Sequence, residues 1–225
     1  MTMTVSDDVR QDIVEIYRKR AANYDFTANL YYLIGYPEWR YRRRAIERLQ
    51  LKAGDTVVEL GCGTGLNFGL VQEKIGPEGK LIGVDLTDAM LEQAQQRVEQ
   101  QGWENVELIQ QDIAGYSFPE GVDAIYSTFA LSLVPQAPEV IRRGARALNS
   151  NGHWSLLDFE IPEKWPGWLV EAMLLLVKPF TPTEEWVSRK PWPEIKAAMR
   201  RELDGLVEQN YYLGMTYIIS GRPTR

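Results

Sequence analysis

The chain is poor in the residues that disulfides and metal centres require. It has one cysteine, Cys62, and one histidine, His153. A lone cysteine cannot close an intrachain disulfide, so the protein tolerates a reducing compartment. One Cys and one His also exclude a zinc site of the usual kind, and no metal is expected. Positive charge is in deficit: 25 Lys and Arg face 31 Asp and Glu, for a net charge of −6. General nucleic-acid binders carry a basic balance, so nucleic acid is not expected as a partner. Long apolar runs are missing too. The longest, Ala172 to Val177, is far too short to span a bilayer. Met1 to Arg10 is polar and carries Asp7 and Asp8, so no signal peptide is expected and a cytoplasmic protein is the default. The 225 residues, 44% hydrophobic and 25% charged, suit one globular domain with a full core.

The stretch around which the rest is organised is Thr56-Val-Val-Glu-Leu-Gly-Cys-Gly-Thr-Gly65. Thr56, Val57, Val58 and Leu60 predict a short buried strand. Glycines follow at 61, 63 and 65, and Leu66 to Ile75 predicts a helix with Leu66, Leu70, Val71 and Ile75 on its apolar side. Strand, glycine turn and helix N-terminus make a polar ligand site in an open α/β sheet. A dinucleotide fingerprint needs Gly-x-Gly-x-x-Gly. Here the third glycine falls one residue early, with Leu66 in its place, which disfavours an NAD oxidoreductase. A second strand, Lys80 to Asp85, ends in an acid 20 residues after Gly65, placed for a ribose diol. A third, Asn105 to Gln110, leads to Asp112.

Glu59-Leu-Gly-Cys-Gly-Thr-Gly65, Val84-Asp85-Leu86 and Gln111-Asp112-Ile113 together resemble the first three motifs of class I S-adenosylmethionine (SAM) methyltransferases. The resemblance covers roughly residues 45 to 160. It implies a Rossmann-like α/β fold with a seven-stranded, mostly parallel sheet, helices on both faces and a C-terminal antiparallel hairpin. It implies SAM as cofactor. Gly61, Gly63 and Gly65 then face the methionine part, with Glu59 and Asn67 in the same motif region. Asp85, followed by Leu86, holds the ribose hydroxyls. Asp112 and Ile113 bind the adenine, and Met90 covers an adenine face. Ser127, Thr128 and Phe129 sit near the methyl group. Tyr17, Ala21, Tyr24 and Asp25 reproduce a Tyr-x3-Ala-x2-Tyr-Asp pattern that starts a lid over SAM in many small-molecule members. Tyr17 and Tyr24 are therefore cofactor contacts under this reading, and packing aromatics of an amphipathic helix under the plainer one.

Residues 1–50 are expected as a helical lid, 51–159 as the SAM-binding core, 160–203 as an inserted substrate cap and 204–225 as the terminal hairpin, all within one domain. A helix over Glu38 to Leu49 puts Ala45, Ile46 and Leu49 inward and Arg40, Arg42, Arg43, Arg44 and Arg48 on its other faces. That basic cluster is a solvated face or a contact for phosphate or an anionic membrane. Thr87 to Gln101 predicts a helix stopped by Gly102. Asp123 to Thr128 and His153 to Phe159 predict strands either side of a helix over Pro138 to Leu148. His153 falls at its strand's start, away from the ligand rim, in a structural or surface role. Asp158 falls near the rim, facing substrate or capping a loop. Trp165 to Phe180 is nearly apolar all round and must be buried, or line an apolar pocket or membrane. Tyr31, Phe129, Asp158 and Trp168 are the expected acceptor contacts.

Methyl transfer from SAM is an in-line displacement for which alignment and exclusion of water matter most. A neutral amine needs no base at that step, whereas an enolisable ring carbon or phenol does. The tyrosine motif, glycine motif and terminal hairpin resemble two groups within the family: quinone ring C-methyltransferases and phospholipid or betaine-lipid N-methyltransferases. The arginine helix, the tyrosines and the missing histidine base favour a small hydrophobic or amphipathic acceptor such as a lipid head-group amine, with peripheral membrane contact. Quinone C-methylation, other small-molecule O- or N-methylation, and a non-catalytic interaction module of the same fold are the alternatives.

Overall fold

The computed structural model describes residues 15, 17, 18, 21, 35–163, 165–171 and 184–224. Helix α1 spans Glu38–Glu47. Strands and helices then alternate: β1 (Thr56–Leu60), α2 (Phe68–Ile75), β2 (Lys80–Asp85), α3 (Asp88–Gln101), β3 (Val106–Gln110), β4 (Val122–Thr128), α4 (Ala137–Ala147) and β5 (Leu148–Phe159). Helices α5 (Glu184–Arg189) and α6 (Trp192–Glu202) precede β6 (Leu203–Tyr211) and β7 (Thr216–Pro223).

The seven strands form one sheet in the order β3-β2-β1-β4-β5-β7-β6. The first five are parallel to their neighbours, and β7 runs antiparallel to both β5 and β6. The chain therefore builds outward from β1 in one direction and from β4 in the other. Loops leaving the carboxyl ends of β1 and β4 part company there, which opens a crevice.

Parallel strands covered on both faces read as continuous apolar runs, and β1 and β2 do so because each face has its own core. Val57 points into a layer with Ile46 and Leu49, with Phe68, Val71 and Ile75 of α2, and with Leu91, Ala94 and Val98 of α3. Val58 and Leu60 point the other way, toward Val140, Ile141 and Ala145 of α4 and Ile195, Ala198 and Met199 of α6. As expected, α3 ends at Gly102, which takes a left-handed conformation (φ 68°, ψ 31°).

Some expectations shift. Helix α2 starts at Phe68, because residues 61–67 stay in the turn. Strand β5 begins at Leu148, with irregular pairing to β4 between Val122 and Ala124. The expected cap over 160–203 is replaced at its end by a core layer. Trp186, Trp192, Ile195 and Met199 are buried in the cluster that holds Ile141 and Trp154. The apolar stripe of α6 needs a partner, and α4 and the terminal strands supply it. Residues 167–171 are helical, whereas 172–183 of the apolar block lie outside the described residues.

Helix α4 approaches β5 through Gly144. A Cβ there would stand 2.2 Å from the fully buried Trp154 ring. Gly144→Ala is expected to destabilise the fold by about 1–3 kcal/mol through overpacking, although alanine is the better helix former. Urea unfolding measures this. A neutral or stabilising result would show that α4 does not press on Trp154.

Candidate functional site

A cleft with about 780 Å³ of empty space, counting its open mouth, lies at the carboxyl ends of the strands. It runs across the sheet. Asp112 and Ile113 follow β3, Asp85 and Leu86 end β2, Gly61 and Gly63 follow β1, and Thr128 and Phe129 end β4. Met90 of α3 and Tyr17 also line it.

The turn after β1 is stitched to β2. The Gly61 and Cys62 amides donate to Val84 O at 2.8 and 3.1 Å. Gly61 has φ +71°, and a Cβ on it would lie 2.2 Å from the Cβ of Ala130, so only glycine lets the two loops close there. Asp85 accepts from the Gly63 amide through Oδ2 (2.8 Å) and the Thr87 amide through Oδ1 (2.9 Å). Burial pushes its carboxyl above the ordinary value, and these two amides partly offset that. The Thr87 hydroxyl and the Leu86 amide add to the same offset. Asp112 caps the short 3₁₀ turn Ile113–Gly115 through the Ala114 amide at 2.8 Å. Arg143 of α4 braces that turn, donating to the Ala114 and Tyr116 carbonyls at 2.6 and 2.9 Å. Acid after acid, then an open backbone turn, fits the diol, amine edge and amino-acid end of the expected cofactor.

Phe129 is in the left-handed region at φ +58°, a costly conformation for a bulky residue. Its amide donates to Leu157 O at 2.8 Å, and its ring stacks on Phe159 with centroids 4.6 Å apart. The Arg42 guanidinium lies 5.1 Å from the ring centroid. Beyond Phe129 the wall continues through Ala130, Leu133, Val134 and Pro135, within the stretch from Ser127 to Pro135 that the sequence places at the ligand rim, and through Gln136, which sequence reasoning missed because a loop residue of this kind carries no motif.

The structure gathers Tyr17, Gly61, Gly63, Asp85, Leu86, Met90, Asp112, Ile113 and Phe129 around the cleft. It sets others behind the wall. A Cβ on Gly65 would meet the Phe68 ring at 2.7 Å, so this glycine serves the entry into α2. Glu59, Asn67 and Ser127 are at most 1% exposed and do not line the cleft. The Ser127 hydroxyl is buried with no hydrogen-bond partner among the described residues. Asp158 is buried, and its carboxylate accepts from the Ser132 amide (2.9 Å) and hydroxyl (2.8 Å). It is the loop cap of the two readings, and it does not face the cleft. Trp168 is 68% exposed and away from the cleft lining. Tyr24 and Tyr31 lie outside the described residues. His153 accepts from Arg222 Nε at 3.0 Å; because β5 begins at Leu148, it lies within the strand and not at its start, paired with Ala124 near the beginning of β4 and away from the rim.

Arg42 is a correction. It is not on a solvated face but 5% exposed, bonded to Glu38 Oε1 (2.7 Å), Asn67 Oδ1 (3.3 Å) and Thr128 Oγ (2.7 Å). The signal was available: Glu38, Arg42, Ala45 and Leu49 share one helical stripe. Asn67 continues the network, donating to Glu59 Oε1 (2.6 Å) and Thr128 Oγ (2.9 Å). Tyr126 donates to Glu59 Oε2 at 2.5 Å.

Burial raises the Glu59 carboxyl from 4.5 to about 7, with Tyr126, Asn67 and Arg42 opposing and Asp85 assisting the rise. Between those values the folded chain holds a proton that the unfolded chain has released. Stability from this group is fully present below pH 4.5 and is lost as pH rises through about 7. Glu59→Gln is expected to flatten the pH dependence of unfolding over that window. Relative to wild type it should gain roughly 1–3 kcal/mol between pH 5 and pH 8. Urea titrations at the two pH values measure the difference. An unchanged gap would mean that Glu59 ionises as it does in water.

Residues 57–152 match a methyltransferase-domain family. Among curated proteins, the chain is 32% identical over 165 residues to a phosphatidylethanolamine N-methyltransferase of Cereibacter sphaeroides, covering 72% of this chain and 76% of that one. It is 26% identical over 165 residues to the demethylmenaquinone methyltransferase of Listeria welshimeri, covering 73% and 69%. Among solved structures, it superposes with a TM-score of 0.63 at 14% identity on phosphoethanolamine N-methyltransferase 2 of Haemonchus contortus, solved with phosphomonomethylethanolamine and S-adenosylhomocysteine. That match covers 83% of this chain and 53% of the other. With the seven-stranded sheet and a cleft built of the family's motifs, the chain belongs to the S-adenosylmethionine-dependent methyltransferases and uses SAM as its cofactor.

Proposed function

We propose that this enzyme methylates the amine of an amphipathic acceptor, a lipid head group. SAM supplies an electrophilic methyl group on a sulfonium leaving group. Asp85 takes the ribose hydroxyls, and Asp112 and Ile113 take the adenine edge, with Met90 against its face. Gly61 and Gly63 leave room for the amino-acid end. Tyr17 covers the cofactor and favours the sulfonium through its ring face. Glu59, Gly65 and Asn67 act from behind, by holding the turn.

The observation that carries the acceptor is the chemistry of the wall beyond Thr128. Phe129, Ala130, Leu133, Val134 and Pro135 are apolar, Gln136 is neutral, and none is a base. The nearby carboxylate, Asp158, is turned away onto Ser132. The head-group ammonium first gives up its proton to solvent; the neutral amine then attacks the methyl carbon with its own lone pair as the carbon–sulfur bond breaks and S-adenosylhomocysteine leaves, so the wall needs only to orient the amine and exclude water from the transfer itself. A ring carbon needs a base at this wall. The 32% identity to a phosphatidylethanolamine N-methyltransferase supports the same choice.

Delivery from a membrane surface fits the exterior. No helix among the described residues is long and apolar enough to cross a membrane. Trp39, Leu213 and Trp168 are exposed, and Arg40, Arg43 and Arg44 stand on the outer face of α1. Trp39 adjoins Arg40 on α1, and an apolar side chain beside arginines suits an anionic bilayer surface.

Methyl-labelled SAM, the purified chain and vesicles containing phosphatidylethanolamine are expected to place label on the head-group nitrogen. Label on a demethylated quinol ring, with none on the lipid, would reject the amine reading. Asp85→Ala is expected to weaken S-adenosylhomocysteine binding by about tenfold to a hundredfold in calorimetry. Unaltered affinity would remove Asp85 from the cofactor site.

A further inference from the structure

Thr128 ends β4 beside the glycine turn: Leu60 pairs with Ser127, so Gly61 and Thr128 are the next residue on each strand. Its hydroxyl oxygen accepts two hydrogen bonds, from Arg42 Nη1 at 2.7 Å and Asn67 Nδ2 at 2.9 Å. Neither donor can reverse its role. A guanidinium has no acceptor. The Asn67 amide is locked in orientation, because Nδ2 also donates to the Glu59 carboxylate and Oδ1 accepts from Arg42. Flipping it would set oxygen against carboxylate and nitrogen against guanidinium.

A hydroxyl has two lone pairs and one proton. With both lone pairs taken, the Thr128 proton must leave along the one tetrahedral direction left. No hydrogen bond among the described residues accepts it, and Thr128 lines the cleft. The hydroxyl is thus a fixed donor, strengthened by the cation behind it. None of the described residues lining the cleft is Lys or Arg. An anionic ligand group there must draw on neutral donors and on charge set behind the wall.

We infer that Thr128, polarised by Arg42, donates its hydroxyl proton to the carboxylate of the cofactor's amino-acid end and so selects cofactors that carry it. Its place next to the glycine turn, across from the ribose acid Asp85, puts the donor at that end of the cleft. The inference rests on SAM as cofactor and is independent of which acceptor is methylated.

The test is calorimetry of the full chain with two ligands: S-adenosylhomocysteine, and 5′-methylthioadenosine, which lacks the amino-acid end. Thr128→Val keeps the shape and removes the hydroxyl. It is expected to weaken S-adenosylhomocysteine about tenfold or more, as for a hydrogen bond to a charged group. It should leave methylthioadenosine unchanged, which also reports that the cleft is folded. Thr128→Ser should restore wild-type affinity. Arg42→Met should weaken S-adenosylhomocysteine selectively, in the same direction. Equal loss for both ligands, or no loss for either, overturns the inference. So does a rise in acceptor KM with S-adenosylhomocysteine affinity unchanged, because the donor would then serve the acceptor.

Discussion

A guanidinium and a carboxylate buried in one core are costly unless every hydrogen-bonding position finds a partner. Here Arg42 and Glu59 sit on opposite sides of Asn67, and Asn67 bonds both. Glu38 neutralises Arg42 from within its own helix, and Tyr126 completes Glu59. The cost of leaving any member unpaired sets where α1, the turn after β1 and the end of β4 lie relative to one another. Those are the elements that shape the glycine-turn end of the cleft, so polar satisfaction in the interior determines geometry at the surface.

The two sides of the cleft follow different rules. On one side, polar groups come from strand ends. Parallel strands in register set Asp85 at the end of β2 beside the end of β3, with Asp112 two residues beyond it, and the glycine turn sits one strand further along. On the other side, the wall is a loop held by side chains. Asp158 binds Ser132, Phe129 is pinned in an unfavourable backbone region by its amide bond and ring stacking, and the Ala130 methyl fills the space that glycine leaves at 61. The half built of strand ends is rigid, whereas the half built of loop residues is where side chains can vary without disturbing the sheet.

Burial also divides the carboxylates by role. Glu59 and Asp158 have no access to the cleft, and loss of solvent raises both, to about 7 and about 6. Perturbed carboxylates often mark catalytic acids or bases. Here the shift marks buried braces, because the geometry turns them toward protein donors and away from ligand.

Local pattern alone was enough to give the parallel sheet, the glycine turn, Asp85, Asp112 and the closing hairpin. Apolar runs, glycines and acids at strand ends recur at short spacings, and each reflects forces acting within a few residues. Glu59, Asn67 and Asp158 read equally well as ligand contacts. Only packing against Tyr126, Thr128 and Ser132, far off along the chain, decided that they stand behind the wall or away from it. Arg42 shows the same division: its stripe was legible, but its burial required Thr128 and Asn67 to arrive from other strands and loops. The sequence by itself determined which residues end the strands. The tertiary structure decided which of them face the ligand, because that depends on partners brought together by the sheet rather than by neighbours in the chain.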